Sequence, residues 1–255
     1  MKRYIKLLSA LTLFSVLTLG FISCSNDDDS LDNYWASIVT VNKIGENKYD
    51  YTLDDGRKIW IAHPSGLNLK PEYDRALIYY TILSEEKQGY DLSVRLGRFY
   101  DVLTKEPIYI PKDDQIKQDS IGNNAIKVFS IWEGGGYLNI SFGFNVGGQD
   151  GNTIKHMINL VSNDPDLSVN EESVGLEFRH NQKDDPQNYP AEGYVSFDLT
   201  PYKIAGRDKV TFEIKWKDFS GEVKTKKIEY KYNSAVTQPE NLSLGKNYDT
   251  NLNIY

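Results

Sequence analysis

Three histidines, one cysteine and several short acidic or glycine-rich runs are the residues of this 255-residue chain that could carry chemistry. His63, His156 and His180 lie far apart and have no ligand-like partners at short spacing. His180 shares strand parity with Leu176 and Phe178, and His156 with Ile158 and Leu160. Each is therefore expected as a hydrogen-bonded residue of a core strand rather than as a catalytic base. Asp164, Asp166, Ser168, Asn170 and Glu172 alternate like the ligands of a calcium loop. Val169 stands where the sharp turn of such a loop needs glycine, and Gly175 where the bidentate Glu belongs, so the run reads as a solvated acidic loop. Gly134 to Gly136 and Gly147-Gly148 fall between strands and lack the helix N-terminus that lets a glycine-rich loop hold phosphate. The chain has no G-x-S-x-G elbow, no H-E-x-x-H and no P-loop. The expectation is no catalytic set, no metal and no cofactor, with a hydrolase built from scattered residues as a remote third reading.

The cysteine is a different matter. Cys24 follows Lys2, Arg3, Lys6 and an uncharged run over residues 7–22, and precedes Asp27, Asp28 and Asp29. A basic start, a short apolar core and a small residue before a cleavage point make a secretory leader. That core falls short of the ~20 residues a membrane span needs. Residues 21–24, F-I-S-C, resemble a lipobox with Phe21 in place of the usual Leu, which makes Cys24 the expected lipid attachment site and residues 1–23 a signal peptide. Acyl chains hold durably because each buried methylene adds about 0.8 kcal/mol. The three aspartates resemble an acidic export signal, in an acidic tether over residues 24–33. They favour an outer-membrane lipoprotein facing the cell exterior, with a periplasm-facing one as the alternative.

Charge narrows the partners. The chain carries −7, and −10 once the three cations of the leader are removed. An acidic protein repels nucleic acid and anionic lipid, so the membrane is reached through the lipid on Cys24 alone. No second cysteine exists for a disulfide, so packing must hold the fold.

The elements that would position any site are strands. Helical spacing is nearly absent, while β-branched and aromatic residues alternate with polar ones. A strand opens at Trp35, and Asp55-Gly56 between two apolar stretches predicts a tight hairpin turn. Residues 75–83 and 90–103 supply two more strands, with Gly97 marking a bulge or bend. Five strands over residues 34–105 predict a small closed barrel, with no edge left. Residues 106–122, with Pro107 and Pro111, read as a linker or a strapping segment between domains. About seven alternating strands over 123–232 predict an antiparallel β-sandwich. Residues 233–255 read as a polar tail, loosely docked or partly disordered.

Six stretches in order behind the lipobox carry a family likeness: LDNYWASIVTVNKI, YDLSVRLGRFYDVLTKEPI, IWEGGGYLNISFGFN, HMINLVSND, LEFRHNQKDDPQNY and VSFDLTPYK. Together they resemble the NigD-like lipoproteins over nearly the whole chain after the leader. The resemblance implies an N-terminal OB-like barrel and a C-terminal immunoglobulin-like sandwich, and a link to a bacteriocin-type operon. It implies no catalytic or binding residue.

Two functional expectations follow. The first is a non-enzymatic, surface-exposed binding module for an unknown protein or glycan partner. The second is a surface glycan-binding accessory protein, because Tyr and Trp can stack on sugars and OB-like barrels offer a groove. Aromatic content of 13% is also what sheets use to cover one another, and that use is preferred here. The densest polar-aromatic stretch, residues 177–189, is the candidate binding loop, with His180, Asn181, Asp184, Asp185 and Tyr189 as its candidate contacts.

Overall fold

The computed structural model describes residues 34–66, 68–148, 154–165, 173–232 and 254–255. Cys24, the three aspartates after it, the calcium-like run from Asp166 to Glu172 and the tail over 233–253 lie outside the described residues.

Five strands close a barrel: β1 (Trp35–Gly45), β2 (Lys48–Leu53), β3 (Lys58–His63), β4 (Arg75–Lys87) and β5 (Tyr90–Lys105). β1 pairs with β2 and β4, β4 with β5, and β3 with both β2 and β5, so the ring has no free end. The β2–β3 hairpin turns at Asp55-Gly56, with Gly56 at φ 89° and the Asp55 carboxylate accepting from the Arg57 N–H at 3.0 Å. Gly97 is a bulge: Tyr79 faces Arg98 and Tyr80 faces Leu96, which leaves one residue extra on β5. A Cβ there would stand 2.9 Å from the Tyr34 ring.

The apolar run Ala76-Leu77-Ile78 is buried throughout because both faces of β4 are covered. Ala76, Ile78 and Tyr80 fill the barrel with Val39, Ile59 and Val94. Leu77, with Ile38 and Val102, points outward and packs on Trp132 and Tyr194 of the next domain.

That domain contains β6 (Ile108–Tyr109), helix α1 (Gln115–Ile121), β7 (Lys127–Gly134), β8 (Tyr137–Val146), β9 (Met157–Ser162), β10 (Ser173–Asn181), β11 (Tyr189–Asp198), β12 (Lys209–Lys217) and β13 (Val223–Lys231). One sheet of the sandwich runs β13-β12-β10-β9-β6. The other continues from the barrel, because the end of β5 pairs with β11, which leads on to β8 and β7. Phe142, Phe178, Phe197 and Phe212 fill the space between them, each at most 1% exposed. Pairing is mainly antiparallel, but β10–β12, β6–β9 and β5–β11 are parallel, as is β3–β5 in the barrel. The chain leaves β10 for β11 in the opposite sheet, so β12 returns beside β10 in the same direction.

Residues 106–122, expected as a linker or a strapping segment, hold β6 and α1. Asp114 caps α1 by accepting from the Lys117 N–H at 3.1 Å, and Gly122 at φ 71° ends it. The last residues are docked: Ile254 is 3% exposed in the sandwich core, and Tyr255 exchanges backbone hydrogen bonds with His156 and Ile158.

A buried charge pair pins the two domains. Arg75, fully buried, donates to Asp54 at 2.7 Å, Thr40 at 2.8 Å and Asn139 at 3.3 Å, and its guanidinium lies 4.7 Å from the centre of the Tyr137 ring. The β7–β8 hairpin crosses directly over it. A Cβ at Gly134 would fall 2.2 Å from the Asp54 carboxylate, and one at Gly135 2.7 Å from it. The glycines there serve the turn and also clear room for the pair. Beside it, burial pushes the Glu133 carboxyl up to about 7; Asp54 adds to this, while the Gly136 N–H, Arg75 and Lys203 oppose it.

Candidate functional site

Residues 177–189, expected as one loop, begin as the end of β10 and finish at the start of β11, leaving only 182–188 between strands, and the five candidate residues do not converge on one surface. His180 and Asp185 turn inward and are 3% and 4% exposed. Asn181 donates to the Ser120 carbonyl at 2.9 Å and so holds α1 to the end of β10. Asp184 is exposed at φ 62°, next to Lys183 at φ 54°, in a turn closed by the Asp185 N–H donating to Gln182 O. Tyr189 opens β11 opposite Val146 and is exposed.

The inward pair meets a third residue that sequence spacing separates by 24 positions: His156 Nδ1 lies 2.8 Å from His180 Nε2. His156 Nε2 lies 3.1 Å from Asp185 Oδ2, and His180 Nδ1 lies 3.1 Å from the Ala125 carbonyl. Asp185 also accepts the Gly147 N–H at 2.7 Å and the Ile154 N–H at 3.4 Å, tying down both ends of the segment between β8 and β9. The Phe144 ring packs against both imidazoles. Three contacts between a terminal carboxylate and a terminal carbonyl need three protons, and two neutral imidazoles carry two. The third is resisted at both rings: burial, with His156 next to it, holds His180 down at about 4, and burial also lowers His156 against the pull of Asp185. The arrangement is a core polar network, as expected for each histidine singly. Among the described residues no group of three His, Cys, Asp or Glu is placed to hold a metal.

The exposed candidate lies in the barrel. β2 and β3 pair only at Tyr51–Ile59 and Thr52–Lys58; beyond that β3 follows β5, through Trp60–Ser93 and Ile61–Val94. The wall therefore splays, and a cleft of about 470 Å³ opens between the β1–β2 turn, β3 and the β4–β5 turn. Tyr49, Tyr51, Ile59, Ile61 and Leu69 form its floor, continuous with the barrel core. Trp60 has the opposite parity from Ile59, is 40% exposed, and meets Tyr90 with ring centroids 5.3 Å apart. Asn47, Lys48 and Asp50 supply the polar rim. Burial and the adjacent Asp50 carboxylate, which takes its hydroxyl hydrogen bond, raise the Tyr90 phenol. Trp60 is not among the sequence candidates; strand parity counted from the Asp55-Gly56 turn is the signal that could have placed it on the outer face.

A second, shallower cleft lies between α1 and β10, where Arg179, Glu177, Gln118 and Asn163 are engaged with one another. Arg179 donates to Glu177 at 2.7 Å and to Gln118 at 2.9 Å, and Asn163 donates to Glu177 at 3.1 Å.

Two family models match the chain in order. The NigD-like N-terminal OB domain covers residues 38–102, and the NigD-like C-terminal beta sandwich domain covers residues 108–230. No curated protein matches the chain. Among solved structures, a protein of Parabacteroides distasonis described as toxin-related is 28% identical, covering 79% of this chain and 95% of that one with a TM-score of 0.62. A Bacteroides vulgatus protein of unknown function is 24% identical over 84% and 96% of the two chains, with a TM-score of 0.65. A NigD-like immunity protein of Bacteroides caccae is 23% identical over 78% and 98%, with a TM-score of 0.61. The last two likenesses bear on fold alone.

Proposed function

Since the chain belongs to the NigD-like family, with its OB and β-sandwich domains in order, we propose that it is a non-enzymatic envelope protein that binds another macromolecule in the cleft of its barrel. Lipid on Cys24 holds it to the outer membrane, and Asp27, Asp28 and Asp29 direct it to the outer face. The observation that carries the reading is the place of the cleft. It lies on the β2–β3 face between the β1–β2 and β4–β5 turns, where OB-folds take their ligands. That is an argument from fold, and the exposed Trp60–Tyr90 pair gives it chemistry. The description of the Parabacteroides relative as toxin-related supports a place for this binding in a bacteriocin-type system.

Photo-crosslinking in intact cells tests the reading. A diazirine side chain at position 60 is expected to give a discrete adduct that the same group at Ile116, an exposed residue on α1, does not. Equal labelling from both positions refutes the cleft as the docking site. Protease shaving of whole cells tests the orientation: loss of the chain supports display on the exterior, and protection places it facing the periplasm.

A further inference from the structure

We propose that the barrel cleft takes a neutral oligosaccharide, with one sugar ring seated on Trp60 and Tyr90. The inference rests on the cleft being the binding site and supplies the class of its ligand. A pyranose has an apolar face of C–H bonds and a belt of hydroxyls that both donate and accept. The cleft offers the complement of each. Trp60 and Tyr90 stand as an open aromatic corner, tilted by 51°. Lys48 and Asp50 lie on the same outward parity of β2, opposite to Tyr49 and Tyr51, so a donor-only ammonium and an acceptor carboxylate flank the rings. A cleft of about 470 Å³ falls within the ~300–1,000 Å³ range of small-molecule sites.

Charge and geometry disfavour the other occupants. A single strand of nucleic acid also stacks on aromatics, but it needs a basic track. This rim sets one lysine against one aspartate in a chain of net charge −7. The same balance argues for a neutral glycan over an acidic one. An extended peptide would add to an open strand edge, and β2 leaves only Lys48 to Asp50 unpaired on the β3 side. Strands average about 5–6 residues, so three residues are a short template for augmentation.

The test is a titration of the full chain in detergent with neutral malto-, cello-, xylo- and manno-oligosaccharides of increasing length. The readout is the fluorine resonance of 5-fluorotryptophan at position 60, assigned by its loss in Trp60→Phe. The expected result is a saturable shift with at least one series, weakened tenfold or more by Tyr90→Ala and by Asp50→Asn. The resonance of Trp132, buried at 7% exposure, should stay fixed. Tyr90→Phe, which keeps the ring, should bind within a few fold of the parent. No shift across all four series, or a shift indifferent to Tyr90→Ala, overturns the glycan. If the titrations stay flat while the position-60 crosslink in cells persists, the occupant is a protein strand and the cleft reading survives. If both fail, the cleft reading falls with it.

Discussion

Replacing Glu133 by Gln gives a pH signature whose sign follows from the domain junction. The carboxyl is 6% exposed, and burial raises it to about 7 in the folded protein. Its unfolded value is near 4.3. Between those two values the folded state holds a proton that the unfolded chain has released. This contribution is therefore fully present below about pH 4.3 and lost as pH rises through about 7. A gap of about 2.7 units at 1.36 kcal/mol each is about 3–4 kcal/mol, a large share of the ~5–15 kcal/mol stability of a domain. Glutamine keeps an acceptor for the Gly136 N–H but cannot ionise. Urea unfolding of both proteins from pH 4 to 8 should show no difference at pH 4, growing to a gain of about 3–4 kcal/mol for Glu133→Gln at pH 8. Titrating groups that do not interact with Glu133 cancel in the difference. A variant less stable than the parent at pH 8 would mean that an ionised Glu133 is paired with Arg75 or Lys203, and would refute the reasoning.

Gly134→Ala should unfold the protein at lower denaturant by about 3–5 kcal/mol, because its Cβ would displace the Asp54 carboxylate from a fully buried Arg75. Gly175→Ala, with nothing within 4 Å of the added atom, should not be destabilising; equal losses at both sites would contradict the packing account. His180, held down at about 4, should stay neutral by nitrogen NMR at pH 5.5. Because its folded value lies below the unfolded ~6.5, its contribution is present above pH 6.5 and lost as pH falls toward 4, on the order of 3 kcal/mol; a midpoint near 6.5 would contradict this. Phe178→Ala, at the centre of the sandwich, should cost about 3–5 kcal/mol in chemical denaturation. A loss below 1 kcal/mol would show that the sheets can close on the cavity.

The barrel and sandwich were legible in the sequence because alternation and turn chemistry act locally. Asp55-Gly56 sets its own hairpin, and Gly97 its own bulge. The continuous apolar run at Ala76 to Ile78 carried no alternation, and only the second domain packed on Leu77 explains it. Parallel pairing of β10 with β12 depends on where β11 goes, which no local pattern encodes. The contact between His156 and His180 was hidden for the same reason, since each strand shows only that its histidine points inward. Dense polarity drew attention to the 177–189 loop, yet His180 and Asp185 spend theirs on the interior. Trp60 looked like one more aromatic among many until β3 parted from β2 and left it at the mouth of a cleft.

The claim on which the account turns is that the partner docks where β2 and β3 splay, and competition at that point tests it most directly. The position-60 diazirine is photolysed on intact cells with and without the oligosaccharide that shifts the Trp60 resonance. The account predicts that the sugar abolishes the adduct and leaves labelling from Ile116 unchanged. An adduct at position 60 that the saturating sugar does not diminish would contradict it.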